Sequence, residues 1–265
     1  MFKQKQLVAL CALATAAVAA PVHAEGWSFL DTSVNYLSWS QRTLDYTNKG
    51  PFGQKKDFTY LELEGGAGGD WGDVYGFFDV ENPMNKERET DGRTDRRTAA
   101  KFVARYNLTQ VAGMPVQLYA HVYDFRDNTF YDENRVLGLG TSWSSGNFWI
   151  KPFLGVHNET KADLGAQFNG GMGGWVLGYS FNAFGQPFML TQWHETEFAR
   201  KKEYLVMSEG GNVVTANSTA WNGAVSLWWN PTKHFTAGLS YRYADNKLGV
   251  SGYESGWIST LRYNF

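Results

Sequence analysis

Glu62, Glu64, Asp73, Asp79 and Glu81 fall in one local phase of steps of two, and Arg97, Lys101 and Arg105 follow at steps of four. On an extended chain, even steps keep side chains on one face. The run therefore reads as an acidic wall followed by a basic wall. Tyr60, Tyr75, Phe77, Tyr119 and Tyr123 share those faces, with His121 between the last two and Arg242 on a later wet face. Neighbouring strands lie about 4.8 Å apart, so the two walls would adjoin and hold one another rather than set a single-sign field. This is the chemistry of weak binding. Aromatic faces stack on a flat ring, worth roughly 1–3 kcal/mol per base in nucleic-acid sites, while charged rims take its polar edges. The same carboxylates and guanidiniums also suit a purely structural role, pairing across strands to stiffen a wall. Nucleophilic catalysis has thinner support: His121, His157, His194 and His234 stand singly and no Gly-x-Ser-x-Gly elbow is present. Only His194 with Glu195, or His157 with Glu159, could be recruited by an outer-membrane hydrolase or acyltransferase. No His or carboxylate cluster has ligand spacing, so neither metal nor cofactor is expected.

The elements that must hold these residues are two-faced strands. The last, Tyr253 to Phe265, sets Tyr253, Trp257, Leu261, Tyr263 and Phe265 against Glu254, Gly256, Thr260, Arg262 and Asn264. Twelve such stretches are counted, at about 27–40, 57–67, 71–81, 97–108, 115–126, 135–143, 148–158, 172–182 and 186–198, one ending at Trp229, then 235–244 and 253–265. Phase is clean at 97–108 and ambiguous at 186–198, where Phe188, Met189, Leu190 and Trp193 disagree. Long loops are expected at 41–56, 82–96, 159–169 and 199–217, alternating with short turns. An even number of strands with alternating loop lengths is the signature of an all-β transmembrane antiparallel β-barrel of about twelve strands. Trp27, Trp71, Trp143, Trp149 and Trp229 fall at the short-turn ends, where an aromatic girdle would sit.

Composition agrees. Aromatics make up 16% of the chain, with 11 Trp, yet mean hydropathy is −0.39, as when half of each strand faces water. The net charge of −2 with no basic block argues against nucleic acid as a partner. Lys3 and Lys5, an apolar run from Leu7 to Ala20 and Val22-His23-Ala24 predict a signal peptide over 1–24, leaving one barrel domain at 25–265. That apolar run is shorter than the roughly 20 residues of a spanning helix.

Thr59-Tyr-Leu-Glu-Leu-Glu64, the Asp70-Trp-Gly-Asp-Val-Tyr-Gly-Phe-Phe-Asp79 run, Gly138-Leu-Gly-Thr141, Gly256-Trp257 and Tyr263-Asn264-Phe265 resemble the Tsx-like family of nucleoside-specific channel-forming outer-membrane proteins. Channel-forming members of that family carry Phe-Gly-Pro ahead of the first motif. Here the order is Gly50-Pro51-Phe52-Gly53, and Phe52 is counted with the pore candidates. The resemblance implies a twelve-stranded barrel, passive uptake of nucleosides, and use as a receptor by phages and colicins. A neutral, flat, polar-rimmed nucleoside suits the two walls better than a bare ion or a sugar phosphate. Expected partners are this solute, outer-membrane lipid and lipopolysaccharide, and the barrel-assembly machinery through the last strand; the barrel is expected to be a monomer. A barrel serving only as an anchor for surface loops, and a soluble secreted β-sandwich, are the other readings.

Overall fold

The computed structural model describes residues 26–49, 55–85, 96–127, 130–209 and 212–265. The expected signal peptide and Phe52 lie outside the described residues.

Alternation of apolar and polar side chains builds the wall. In chain order come β1 (Trp27–Trp39), helix α1 (Gln41–Lys49), β2 (Phe58–Gly69), β3 (Gly72–Glu81), β4 (Arg97–Val111) and β5 (Met114–Arg126). Next are β6 (Tyr131–Gly140), the short β7 (Trp143–Ser145), β8 (Phe148–Lys161), β9 (Gly165–Ala183) and β10 (Gln186–Phe198). A short helix α2 (Lys202–Leu205) and the hairpin β11 (Val206–Glu209) and β12 (Asn212–Thr215) precede β13 (Ala220–Trp229), β14 (Phe235–Asp245) and β15 (Tyr253–Asn264). All main-sheet pairings are antiparallel. The order runs β6-β5-β4-β3-β2-β1-β15-β14-β13-β10-β9-β8, and β6 pairs with β8 to close the ring. Twelve strands thus form a closed barrel, with β7 an extra piece on β8. Closure satisfies every ladder, which hydrocarbon demands because an unpaired backbone group there costs several kcal/mol.

One face of each strand is apolar and exposed: Val34, Leu61, Leu63, Tyr106, Leu137, Leu154, Leu239 and Leu261 all point outward. So much exposed apolar surface needs lipid to cover it. Leu154 lies midway along β8, and Leu154→Arg should destabilise the barrel by about 2–4 kcal/mol. Urea unfolding in lipid vesicles reads this directly, and an unchanged midpoint would mean the face does not meet hydrocarbon. At the short-turn end Trp71, Trp143, Trp229, Phe235 and Phe265 are exposed in a girdle. Trp27 and Trp149, expected there too, follow the inward phase of β1 and β8, and Lys151 Nζ lies 4.9 Å from the Trp27 ring centre.

Two loop expectations are corrected. The supposed loop 159–169 is largely strand: β8 continues to Lys161 and β9 starts at Gly165. At these strand ends Phe168 is the one large apolar side chain exposed, so the alternation fades. A bulge between Val156 and Asn158 is accommodated in β9 at Gly170, φ +80°, and its neighbour Asn169 is fully buried. The polar segment 41–56 carries α1, whose buried residues are Thr43 and Thr47 rather than an apolar stripe. Its Thr43 Oγ1 donates to the Ser255 carbonyl at 3.1 Å, and Tyr46 Oη donates to the Ser251 carbonyl at 2.6 Å.

Candidate functional site

Strand parity turns the predicted acidic and basic residues into the lumen. On β3 and β4 the two walls pair side by side, as Glu81 Oε2 with Arg97 Nε at 2.6 Å and Asp73 Oδ1 with Arg105 Nη1 at 3.4 Å. Tyr75 Oη donates to Glu64 Oε1 at 2.6 Å, and Ser33 Oγ donates to Glu62 Oε1 at 3.3 Å. Behind them Asn35 links Ser33 to Thr260 across the β1–β15 seam. Tyr60, Glu62, Glu64, Tyr75, Phe77, Lys101, Tyr123 and Arg242 are half-buried and remain on the lumen surface.

A second wall runs on from them through β15, β14, β13 and β10, represented among the predicted pore residues by Arg242 alone. Arg262, on β15, donates from Nη2 to Glu64 Oε2 at 2.7 Å and pairs with Asp31 at 3.3 Å. Its guanidinium lies 4.5 Å from the Trp228 ring centre, and that of Arg242 lies 4.7 Å from Trp193. Arginine over tryptophan is a favourable stack when water is scarce. Trp228 donates from Nε1 to Thr191 Oγ1 at 2.8 Å, which fixes the ring. The signal for Arg262 was present, as the sole cation on the wet face of the last strand. That for Trp193 was not, because both faces of β10 carry polar residues.

Other predicted residues are buried in a packed sector. Val103, Tyr119, Val136, Phe153 and Met172, contributed by β4, β5, β6, β8 and β9, form an apolar cluster inside the barrel, with Tyr75 against its edge. The Tyr119 ring stacks on Phe153 at 4.1 Å, and its hydroxyl shares a 2.8 Å hydrogen bond with His121 Nδ1. Tyr119 is only 1% exposed and His121 2%, so neither offers a free face to a solute.

Among the described residues, two ion pairs cross the barrel. Lys101 of β4 bonds Glu195 of β10, and Lys151 of β8 bonds Asp73 of β3 at 2.8 Å. Extended Lys and Glu side chains with the bond between them span about 14 Å, whereas a circular barrel of this strand number is roughly 24 Å across. The barrel must therefore be flattened where they meet. Lys101 was expected to belong to the basic wall beside β3; it reaches across instead. His194 and Glu195 face opposite sides of β10, His194 bonding Tyr243 on the outer face and Glu195 bonding Lys101 within. They do not form a catalytic pair. Among the described residues, no group of three or more His, Cys, Asp or Glu is placed to hold a metal ion.

At the long-loop end the chain folds over the rim. Arg200 donates to Glu197 and to the carbonyls of Asn217 and Asn246, and Lys247 also bonds Glu197. Tyr204, on α2, donates to the Glu159 and Gly165 carbonyls at 3.1 Å each. Burial, then the charge of Glu159, pushes its phenol above the usual range. On the other side Lys55 Nζ donates to the Leu248 carbonyl at 2.7 Å; burial lowers its ammonium against the opposing pull of Glu254.

A family model described as nucleoside-specific channel-forming protein, Tsx, matches residues 34–265. The outer membrane protein OmpK of Vibrio parahaemolyticus is 27% identical over 227 residues, covering 78% of this chain and 81% of that one. Among solved structures, CdiB from Acinetobacter baumannii is 8% identical with a TM-score of 0.41, covering 90% of this chain and 60% of that one. OccK1 (OpdK) of Pseudomonas aeruginosa is 11% identical with a TM-score of 0.32, covering 91% and 98%. Likeness this low adds nothing to the barrel described above.

Proposed function

We propose, since this chain belongs to the Tsx family of nucleoside-specific channel-forming proteins, that its outer-membrane barrel passes nucleosides by diffusion through the half-lumen lined by β1–β3, β15, β14, β13 and β10. The observation that carries this reading is the pair of adjoining walls. Trp193 and Trp228 lie under Arg242 and Arg262 on one side, and Tyr60, Tyr75, Glu62 and Glu64 stand on the other. An aromatic face tolerates any base, because every base has a π-surface. Carboxylates accept hydrogen bonds from ribose hydroxyls, and the balanced charge of the walls gives an anionic nucleotide no net attraction. Sites of this kind hold a solute briefly and release it, as passage requires.

Liposomes carrying the purified barrel should take up nucleosides faster than sugars of similar size, and faster than the corresponding nucleotides. Equal rates across the panel would overturn the nucleoside reading while leaving a general channel. Complete impermeability would favour an anchor barrel instead.

A further inference from the structure

The Lys101–Glu195 and Lys151–Asp73 pairs share a property beyond crossing the barrel. Going round the ring from β4 to β10, one arc holds β5, β6, β8 and β9, and the other holds the six strands β3, β2, β1, β15, β14 and β13. The packed cluster around Tyr119 and Phe153 draws on the shorter arc and on β4 beside it. From β3 to β8 the shorter arc is β4, β5 and β6, part of the same sector. Both bridges therefore run along the inner border of one filled region. On the far side lie the Arg–Trp stacks and the acidic wall. The side chains of Lys101 and Glu195 are 14% and 16% exposed, so the pair sits at the edge of the open space rather than inside the packing.

We propose that these two bridges are the selectivity fence of the channel, confining solutes to one side of a flattened lumen and setting their size limit. The fence rests on the channel reading but not on which solute is carried. Each bridge joins opposite charges, so it narrows the passage without giving it a preference for cations or anions. Removing one partner has two consequences that a merely structural pair would not show together. The passage widens, and the surviving charge imposes a preference of its own sign.

The experiment is single-channel recording in planar bilayers, with reversal potentials in a salt gradient and liposome swelling by sugars of increasing size. Glu195→Gln leaves Lys101 alone and should shift the reversal potential toward anions; Lys101→Met leaves Glu195 and should shift it toward cations. Both should raise conductance at least about twofold and admit a trisaccharide that the wild type excludes. The exchange Lys101→Glu/Glu195→Lys should return all three readouts toward wild type. Lys101→Met/Glu195→Met leaves no buried charge unpaired and should fold even where a single variant does not. It should widen the passage with no shift in ion preference. A conducting wild type matched by the double Met variant in conductance and sugar cut-off overturns the fence. Shifts of the same sign in both single variants also overturn it. A wild type that passes neither ions nor nucleosides, with variants equally silent, overturns the channel reading itself and the fence with it.

Discussion

Arg262→Met should destabilise the barrel by about 3–5 kcal/mol and slow nucleoside passage. Among the described residues, Arg262 is the bonded partner shared by Asp31 and Glu64, at 3.3 and 2.7 Å. The Asp31 side chain is 2% exposed and that of Glu64 13%, so water cannot replace the lost cation fully. Removing one member of a buried set leaves the others charged and uncompensated, and this, more than the lost bonds, is the source of the cost. Glu64 retains the hydroxyl of Tyr75, which spares part of it. The functional effect has a separate origin. The guanidinium over Trp228 disappears, and with it one charged rim of the wall beside the acidic residues. Arg262→Lys keeps the charge but not the planar fork or the stack, and should fall between Met and wild type on both counts. Urea unfolding in vesicles and nucleoside uptake measure the two effects. An Arg262→Met barrel with wild-type stability would show that the network holds no net energy.

Gly138→Val should prevent the barrel from closing. Gly138 of β6 faces Gly155 of β8 in the ladder between these two strands, one of the links of the closed ring. A Cβ on Gly138 would lie 2.1 Å from the Leu154 carbonyl oxygen and 2.3 Å from the Gly155 Cα. Both obstacles are backbone, so no rotamer change relieves them. The strands would have to part, exposing ladder groups to hydrocarbon at several kcal/mol each. The expected readout is loss of the compact, heat-sensitive band in electrophoresis of unboiled protein. Gly69→Ala is the control, because its nearest neighbours are Trp71 side-chain atoms at 3.6 Å and beyond, an ordinary contact. If Gly138→Val folds as well as Gly69→Ala, the close approach of β6 and β8 is not required.

Where lipid touches the chain, the sequence was readable. Leu61 and Leu63 must be greasy and Glu62 and Glu64 need not be, and that alternation brought out twelve strands with ends close to those observed. Above the membrane the constraint lapses. The tops of β8 and β9 carry Asn158, Glu159, Gln167 and Asn169, with Phe168 the one large apolar side chain exposed among them, too few apolar positions to mark a strand. The lumen was legible wall by wall, through Glu81 with Arg97 and Asp73 with Arg105, because those partners sit on neighbouring strands. Contacts across the bore were not. Lys101 and Glu195 are 94 residues apart, on β4 and on the one strand whose phase was ambiguous. Nothing in local periodicity says that a barrel is flattened, so neither the bridges nor the filled sector around Tyr119 could be foreseen. The helix α1 escaped for a similar reason, since its buried positions are threonines, Thr43 bonded to Ser255 of β15 and Thr47 to the Thr43 carbonyl and the Lys55 amide.

The ring is sealed by two kinds of seam, and they differ in what they ask of a chain still on its way to the native state. Most ladders join strands that are near neighbours along the polypeptide, and such hairpins form early. The β1–β15 ladder joins the two extremities, with Asn35 and Thr260 in contact across 225 residues. Bringing ends that far apart together costs about 5 kcal/mol of chain entropy in an ideal coil. A meander zipped up beforehand shortens the effective loop and lowers that barrier. Kinetically, the first and last strands should meet last, and substitutions at their interface should slow refolding while those at the β4–β5 hairpin leave its slowest phase unchanged.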